Sequence, residues 1–64
     1  MDLIKVMEEL YSREINFSIT TFWDGGYTVK LGDELNGFIE DDFTHDPHEI
    51  AQILFDMLNR YLAQ

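Results

Sequence analysis

Hydrophobic and polar positions change period twice along this chain. Between residues 2 and 14, Leu3, Ile4, Met7, Leu10 and Tyr11 recur at the three-and-four spacing of one helical face. Asp2 stands in position to cap it, and Glu8, Glu9 and Arg13 fall mostly on the opposite, solvated side. From Ile15 the period becomes two. Ile15, Phe17, Ile19 and Thr21 alternate with Asn16, Ser18, Thr20 and Phe22, and the β-branched and aromatic composition predicts a strand. Asp24-Gly25-Gly26 supplies residues that tolerate a tight turn, and Tyr27, Val29 and Leu31 alternate with Thr28 and Lys30 beyond it, completing a hairpin.

A longer turn over Gly32-Asp33-Glu34-Leu35-Asn36-Gly37 leads to a third strand, Phe38 to Phe43, with Ile39 and Phe43 on the face opposite Phe38, Glu40 and Asp42. Glu40-Asp41-Asp42 is a poor strand sequence, so pairing is expected to stop by residue 41. The second helix has the sharpest boundary. Asp46 reads as N-cap, Pro47 as the first helical residue and Glu49 as the third position of a capping-box-like start. Ile50, Ala51, Ile53, Leu54, Met57, Leu58, Tyr61 and Leu62 form the stripe that follows. The order α, β, β, β, α with short connections predicts an α+β fold, αβββα, in which a three-stranded antiparallel sheet carries two helices on one face. The other face is expected to present Ser18, Thr20, Phe22, Thr28, Lys30, Phe38, Glu40 and Asp42.

Length and composition then bound the chain. Sixty-four residues allow a single domain, 1–64, which buries only about 60% of the surface its unfolded chain exposes. Its stability should be about 3 to 10 kcal/mol. With no cysteine the fold uses no disulfide, which fits a reducing compartment. No basic segment followed by an apolar stretch of signal-peptide length opens the chain, so it reads as complete and cytoplasmic. No apolar run approaches the roughly 20 residues of a membrane span. A hydrophobic content of 45% with 14% aromatics is rich enough to fold.

Charge changes the picture most. Thirteen Asp and Glu against four Lys and Arg give a net of −9, which argues against direct binding to nucleic acid or an anionic membrane, since both require a basic surface. Seven acids, Asp33, Glu34, Glu40, Asp41, Asp42, Asp46 and Glu49, lie between Leu31 and Ile50 with no Lys or Arg among them. If the fold is right, the second turn, the third strand and the start of the second helix bring them to one continuous rim. A globule of this length is about 28 Å across, and duplex DNA of that length carries about 16 phosphate charges. Thirteen carboxylates are of the same order, so the rim fits a basic nucleic-acid-binding protein or complex as partner. The plainer account is that the acids confer solubility and that Asp46 and Glu49 serve as caps.

Other chemistry has little support in the sequence. Asp41, Asp42, His45 and His48 cluster within eight residues, but the histidines straddle a helix cap and match no recognised ligand spacing, so no metal or other cofactor is assigned. No cysteine nucleophile, phosphate-binding loop or Ser-His-Asp arrangement is present, and the fold leaves little volume for a substrate, so no catalytic residue is assigned. Phe22, Trp23 and Tyr27 flank the first turn. Phe22 and Trp23 are candidate anchors for a partner, whereas the commoner role for Trp23 is to close the end of a small core. Alternation sends Tyr27 toward the helices.

The αβββα layout resembles the double-stranded RNA-binding domain. Where that domain presents lysines at the start of its last helix, this chain has His45-Asp46-Pro47-His48-Glu49, and its first hairpin offers Asp24. Direct RNA binding is not expected. Phe22-Trp23-Asp24-Gly25-Gly26-Tyr27, Val29-Lys30-Leu31-Gly32-Asp33 and Asn36-Gly37-Phe38 look like parts of small acidic phage and prophage inhibitors, anti-CRISPR proteins among them. That resemblance implies a non-enzymatic inhibitor whose acidic rim occupies the DNA-binding groove of a CRISPR surveillance complex or nuclease in a bacterial cytoplasm. The competing class is a small protein-interaction module, a monomer or weak homodimer that uses the open sheet face.

Overall fold

A computed structural model describes the backbone of residues 1–64 and every side chain except those of Asn36 and Phe38. Helix α1 spans Leu3–Ser12, strands β1, β2 and β3 span Phe17–Phe22, Gly26–Asp33 and Phe38–Thr44, and helix α2 spans Ile50–Leu62. Short 3-10 turns at Glu34–Asn36 and Pro47–Glu49 lead into β3 and α2. The sheet is an antiparallel meander of order β1-β2-β3, and both helices contact it, giving the αβββα arrangement expected from the sequence.

Helix α1 starts where the sequence places its cap, with Asp2 accepting the Ile4 backbone N–H at 2.9 Å. The boundary of the second helix shifts: Asp46 accepts the His48 backbone N–H at 2.9 Å and caps the Pro47–Glu49 3-10 turn, while α2 itself begins at Ile50, preceded by Glu49, which makes no side-chain cap bond. The α1 exit is less expected. Glu14 adopts φ 59°, while the N–H groups of Glu14 and Ile15 donate to the carbonyls of Tyr11 and Leu10 at 3.0 Å each. This is a Schellman motif with glutamate in the left-handed position that glycine usually fills, and Ile15 folds back over Leu10. Gly26 closes the β1–β2 turn at φ 85°, and a Cβ there would lie 2.9 Å from the Phe43 ring and 2.9 Å from the Thr44 carbonyl. Both the turn and the close approach of β3 therefore require glycine.

The core is narrow. Val6 and Leu10 of α1, Val29 and Leu31 of β2, and Ile50, Ala51, Leu54, Met57 and Leu58 of α2 are buried together. The sheet contributes through its central strand, with Phe17 and Ile19 of β1 only half-buried. The α1 stripe is rotated from the sequence expectation: Leu3, Val6, Met7 and Leu10 face inward, while Ile4 and Tyr11 remain 64% and 85% exposed. Val6 satisfies the same periodicity, and β1 leaves too little cover for Ile4 and Tyr11.

The face assignment of β3 is also reversed. Val29 pairs with Asp42 and Leu31 with Glu40, so these acids share the helix-facing side. Thr28 pairs with Phe43, Lys30 with Asp41 and Gly32 with Ile39, which puts Phe43, Asp41 and Ile39 on the open face. The expectation for Phe38 falls on a side chain outside the described ones. Two further differences concern length: β2 runs to Asp33 rather than Leu31, and β3 pairs as far as Thr44 rather than stopping at residue 41. Main-chain pairing overrides the poor propensity of three consecutive acids: β3 is an edge strand, so Asp41 lies on the open face while Glu40 and Asp42, on the helix-facing side, sit at the margin of the core, where Glu40 meets Arg60 and Asp42 is exposed.

Candidate acidic interface

The seven acids singled out by sequence are strung along β3 and the segments flanking it, with Glu40 and Asp42 on the helix-facing side and Asp41 on the open face. β3 runs from the Glu34–Asn36 turn at one end of the sheet to the Asp46 cap at the other, a path of about 20 Å at the usual strand rise. Glu34 stands at the first end, Glu40, Asp41 and Asp42 along the middle, and Asp46 and Glu49 at the far end. Over about 20 Å, one strand of duplex DNA carries about six phosphates, so the linear density is comparable.

Four of these acids hold parts of the fold together. Asp33 accepts a hydrogen bond from the Asn16 side-chain amide, which ties the end of β2 to the residue before β1. Glu40 receives Arg60 Nε at 2.6 Å, and the Arg60 terminal nitrogen also reaches the same oxygen. The hydrogen bond to Glu40, reinforced by nearby Asp56 and Asp42, raises the Arg60 pKa further above its ordinary value. The stretch from Leu31 to Ile50 contains no cation, but α2 delivers one to it.

Asp46 and Glu49 belong to a small network around Thr44, which is buried at the end of β3. The Thr44 hydroxyl accepts the Asp46 backbone N–H at 3.0 Å and donates to Glu49 Oε2 at 3.1 Å. The capping-box expectation is thus corrected. Glu49 does not close onto the cap N–H; the Thr44 hydroxyl takes that position and Glu49 in turn accepts from it. Asp46 holds a pKa below the ordinary aspartate value, first through the His48 backbone N–H and then through the His48 ring, whose Nδ1 lies 3.0 Å from Oδ1.

Glu34, Asp41 and Asp42 remain as exposed acids of the stripe. Asp42 Oδ1 accepts the backbone N–H of Phe43 at 2.7 Å, and the residue is exposed. Asp41 sits on the open face directly across from Lys30. Among the described residues, no three His, Asp or Glu side chains are grouped to hold a metal ion; the His45 ring instead stands edge-on to Phe43 with centroids 4.8 Å apart.

The aromatic end of the sheet differs from the core-closing role considered for Trp23. Trp23 is 96% exposed and Phe22 70% exposed, while Tyr27 is half-buried on the helix side as alternation predicts. The turn Trp23-Asp24-Gly25 projects beyond the last pair, Phe22 with Gly26, so the indole has no core to close. Phe22, Phe43 and Ile39 give the open face an apolar character that reading β3 in the opposite parity concealed. No helix among the described residues is long and apolar enough to cross a membrane. Neither protein-family models, nor curated proteins, nor solved structures show a match to this chain.

Proposed function

We propose that this protein is a non-enzymatic binding protein whose acidic edge occupies a basic nucleic-acid-binding surface of a partner, in the manner of an anti-CRISPR-like inhibitor. The observation that carries the reading is the line of acids along β3 and its flanking turns, in a chain of net charge −9. The molecule extends 33 Å along its longest axis, a length over which duplex DNA carries about 19 phosphates. Collective charge of this kind acts through the long-range field, which accelerates encounter and excludes acidic competitors, more than through any one ion pair. Apolar Phe22, Ile39 and Phe43 on the open face favour a second reading, in which that face docks a protein partner and acidity serves solubility.

The test is charge reversal at Glu34, Asp41 and Asp42. Glu40 is left intact, because a lysine there would meet Arg60. A partner recovered from host lysate should lose affinity for the triple lysine variant by about two orders of magnitude or more at low salt, about 3 kcal/mol of collective interaction. The wild-type complex should weaken steeply as ionic strength rises. Retention of wild-type affinity by the folded triple variant removes the acidic edge from the interface and leaves the open face as the reading to pursue.

A further inference from the structure

We infer that the protein self-associates through the edge of β1, forming a two-fold dimer with a continuous six-stranded antiparallel sheet and the two α1 helices side by side. The sheet has two edges of opposite character. β3 carries Glu40, Asp41 and Asp42 in seven residues, and pairing it with its own copy would oppose like charges. β1, Phe-Ser-Ile-Thr-Thr-Phe, has no charge, proline or glycine. The whole stretch from Ile15 to Trp23 lacks an ionisable side chain in a chain where seventeen of 64 residues are Asp, Glu, Lys or Arg. None of the usual devices that discourage edge pairing is present on this strand.

Backbone geometry determines which groups the edge offers. The Asn16 carbonyl accepts the Gly32 N–H at 2.7 Å, and hydrogen-bonded pairs recur at every second residue of an antiparallel ladder. Ser18, Thr20 and Phe22 therefore direct their backbone groups toward β2, while Phe17, Ile19 and Thr21 direct theirs outward. A two-fold axis at Ile19 places Ile19 opposite its own copy and Phe17 opposite Thr21 of the second chain. On the open face Ser18 meets Thr20. No pair in this register sets like charges together.

Beside the edge, Ile4, Met7, Tyr11 and Phe17 line an apolar groove of about 410 Å³, with Glu8 its one charged lining residue. The groove exists because α1 packs mainly against α2 and leaves the helix-facing side of β1 half-covered. In the dimer it receives the same helix flank of the second copy. A six-residue strand is about 20 Å long and a helix about 10 Å across. An interface spanning β1 and the exposed flank of α1 then covers about 20 Å by about 15 Å, a footprint on the order of 300 Å² per chain, which places the dimer among weak, transient interfaces.

Sedimentation equilibrium on the full chain tests this, with Thr21→Pro to remove an outward N–H, Tyr11→Glu to charge the groove, and Ile39→Lys as a control on the open face. The wild type should sediment as twice its 7.6 kDa mass. Because two chains of net charge −9 repel, added salt should strengthen the dimer by screening, the reverse of its effect on a complex between the acidic edge and a basic partner. Thr21→Pro and Tyr11→Glu should each weaken association at least about tenfold, with Ile39→Lys unchanged. Tyr11→Glu lies on the helix surface and keeps the test valid if Thr21→Pro impairs folding. A wild-type chain still monomeric at about 1 mM in high salt, the weak end of the affinity scale, would overturn the inference. So would a dimer broken by Ile39→Lys and untouched by Tyr11→Glu.

Discussion

Replacing Thr44 by valine removes one buried hydroxyl and keeps the shape, so it isolates the network joining β3 to α2. The hydroxyl satisfies two groups at once, the Asp46 backbone N–H at 3.0 Å and Glu49 Oε2 at 3.1 Å. Glu49 is exposed and regains water readily. The Asp46 N–H is the costly loss, because it lies in a partly buried turn where an unmet donor costs about 1 to 3 kcal/mol. The added methyl returns up to about 0.8 kcal/mol, so the net destabilisation should be about 1 kcal/mol. For a domain of this size that lowers Tm by about 4 to 8 °C. Urea unfolding should show a lower midpoint with an unchanged m-value. Glu49→Ala should cost less, since the Thr44 hydroxyl still accepts the Asp46 N–H and can turn toward the Asp46 carbonyl at 3.4 Å. A Thr44→Val protein as stable as wild type, or a larger loss for Glu49→Ala, would refute this assignment of roles.

Glu14→Gly should stabilise the fold by about 0.5 to 1 kcal/mol, because the α1 exit needs a left-handed residue and glycine adopts that conformation without strain; chemical denaturation reads it, and a destabilised variant contradicts the Schellman geometry. The Asp46 carboxylate, with its pKa depressed in the folded chain, contributes stability that is fully present above the unfolded aspartate value and lost as pH falls through the folded one. Comparing wild type with Asp46→Asn, which caps without titrating, should therefore show the wild-type advantage shrinking below about pH 4; a difference independent of pH removes the linkage.

The elements of the fold were legible because local signals agreed with one another. Asp46 and Pro47 marked the 3-10 turn that leads into the second helix, and the change from helical to two-residue period after Glu14 marked the first strand. The faces of two elements were not legible. In α1, both Ile4–Tyr11 and Val6–Leu10 satisfy one periodicity, and only the packing of α1 against α2 selects the second. In β3, ordinary patterning sends Ile39 and Phe43 inward and Glu40 and Asp42 outward. Strand parity is set by the connection, and the turn that pairs Asp33 with Phe38 fixes the opposite choice. Arg60 lies twenty residues beyond Glu40, so its role in compensating the acidic stretch was visible only once α2 lay across the sheet.

That compensation separates two properties of the acidic edge. Pairing Glu40 with Arg60, using Asp46 as a cap and tying Asp33 and Glu49 to neighbouring groups all reduce the number of carboxylates available for direct contact. None of these pairings removes a charge from the sum, so within the screening length, about 10 Å at 0.1 M salt, an approaching partner meets the field of a chain of net charge −9. On the proposed reading, encounter would be governed by the whole chain, while docking would fall to Glu34, Asp41 and Asp42. The same three-acid strand that would approach a basic surface also repels a second copy of itself, whereas the uncharged β1 edge does not. Placing the acids on β3 thus keeps the edge proposed for the partner clear of the edge proposed for the dimer, and a dimer built on β1 would present two acidic edges, one at each end of a six-stranded sheet.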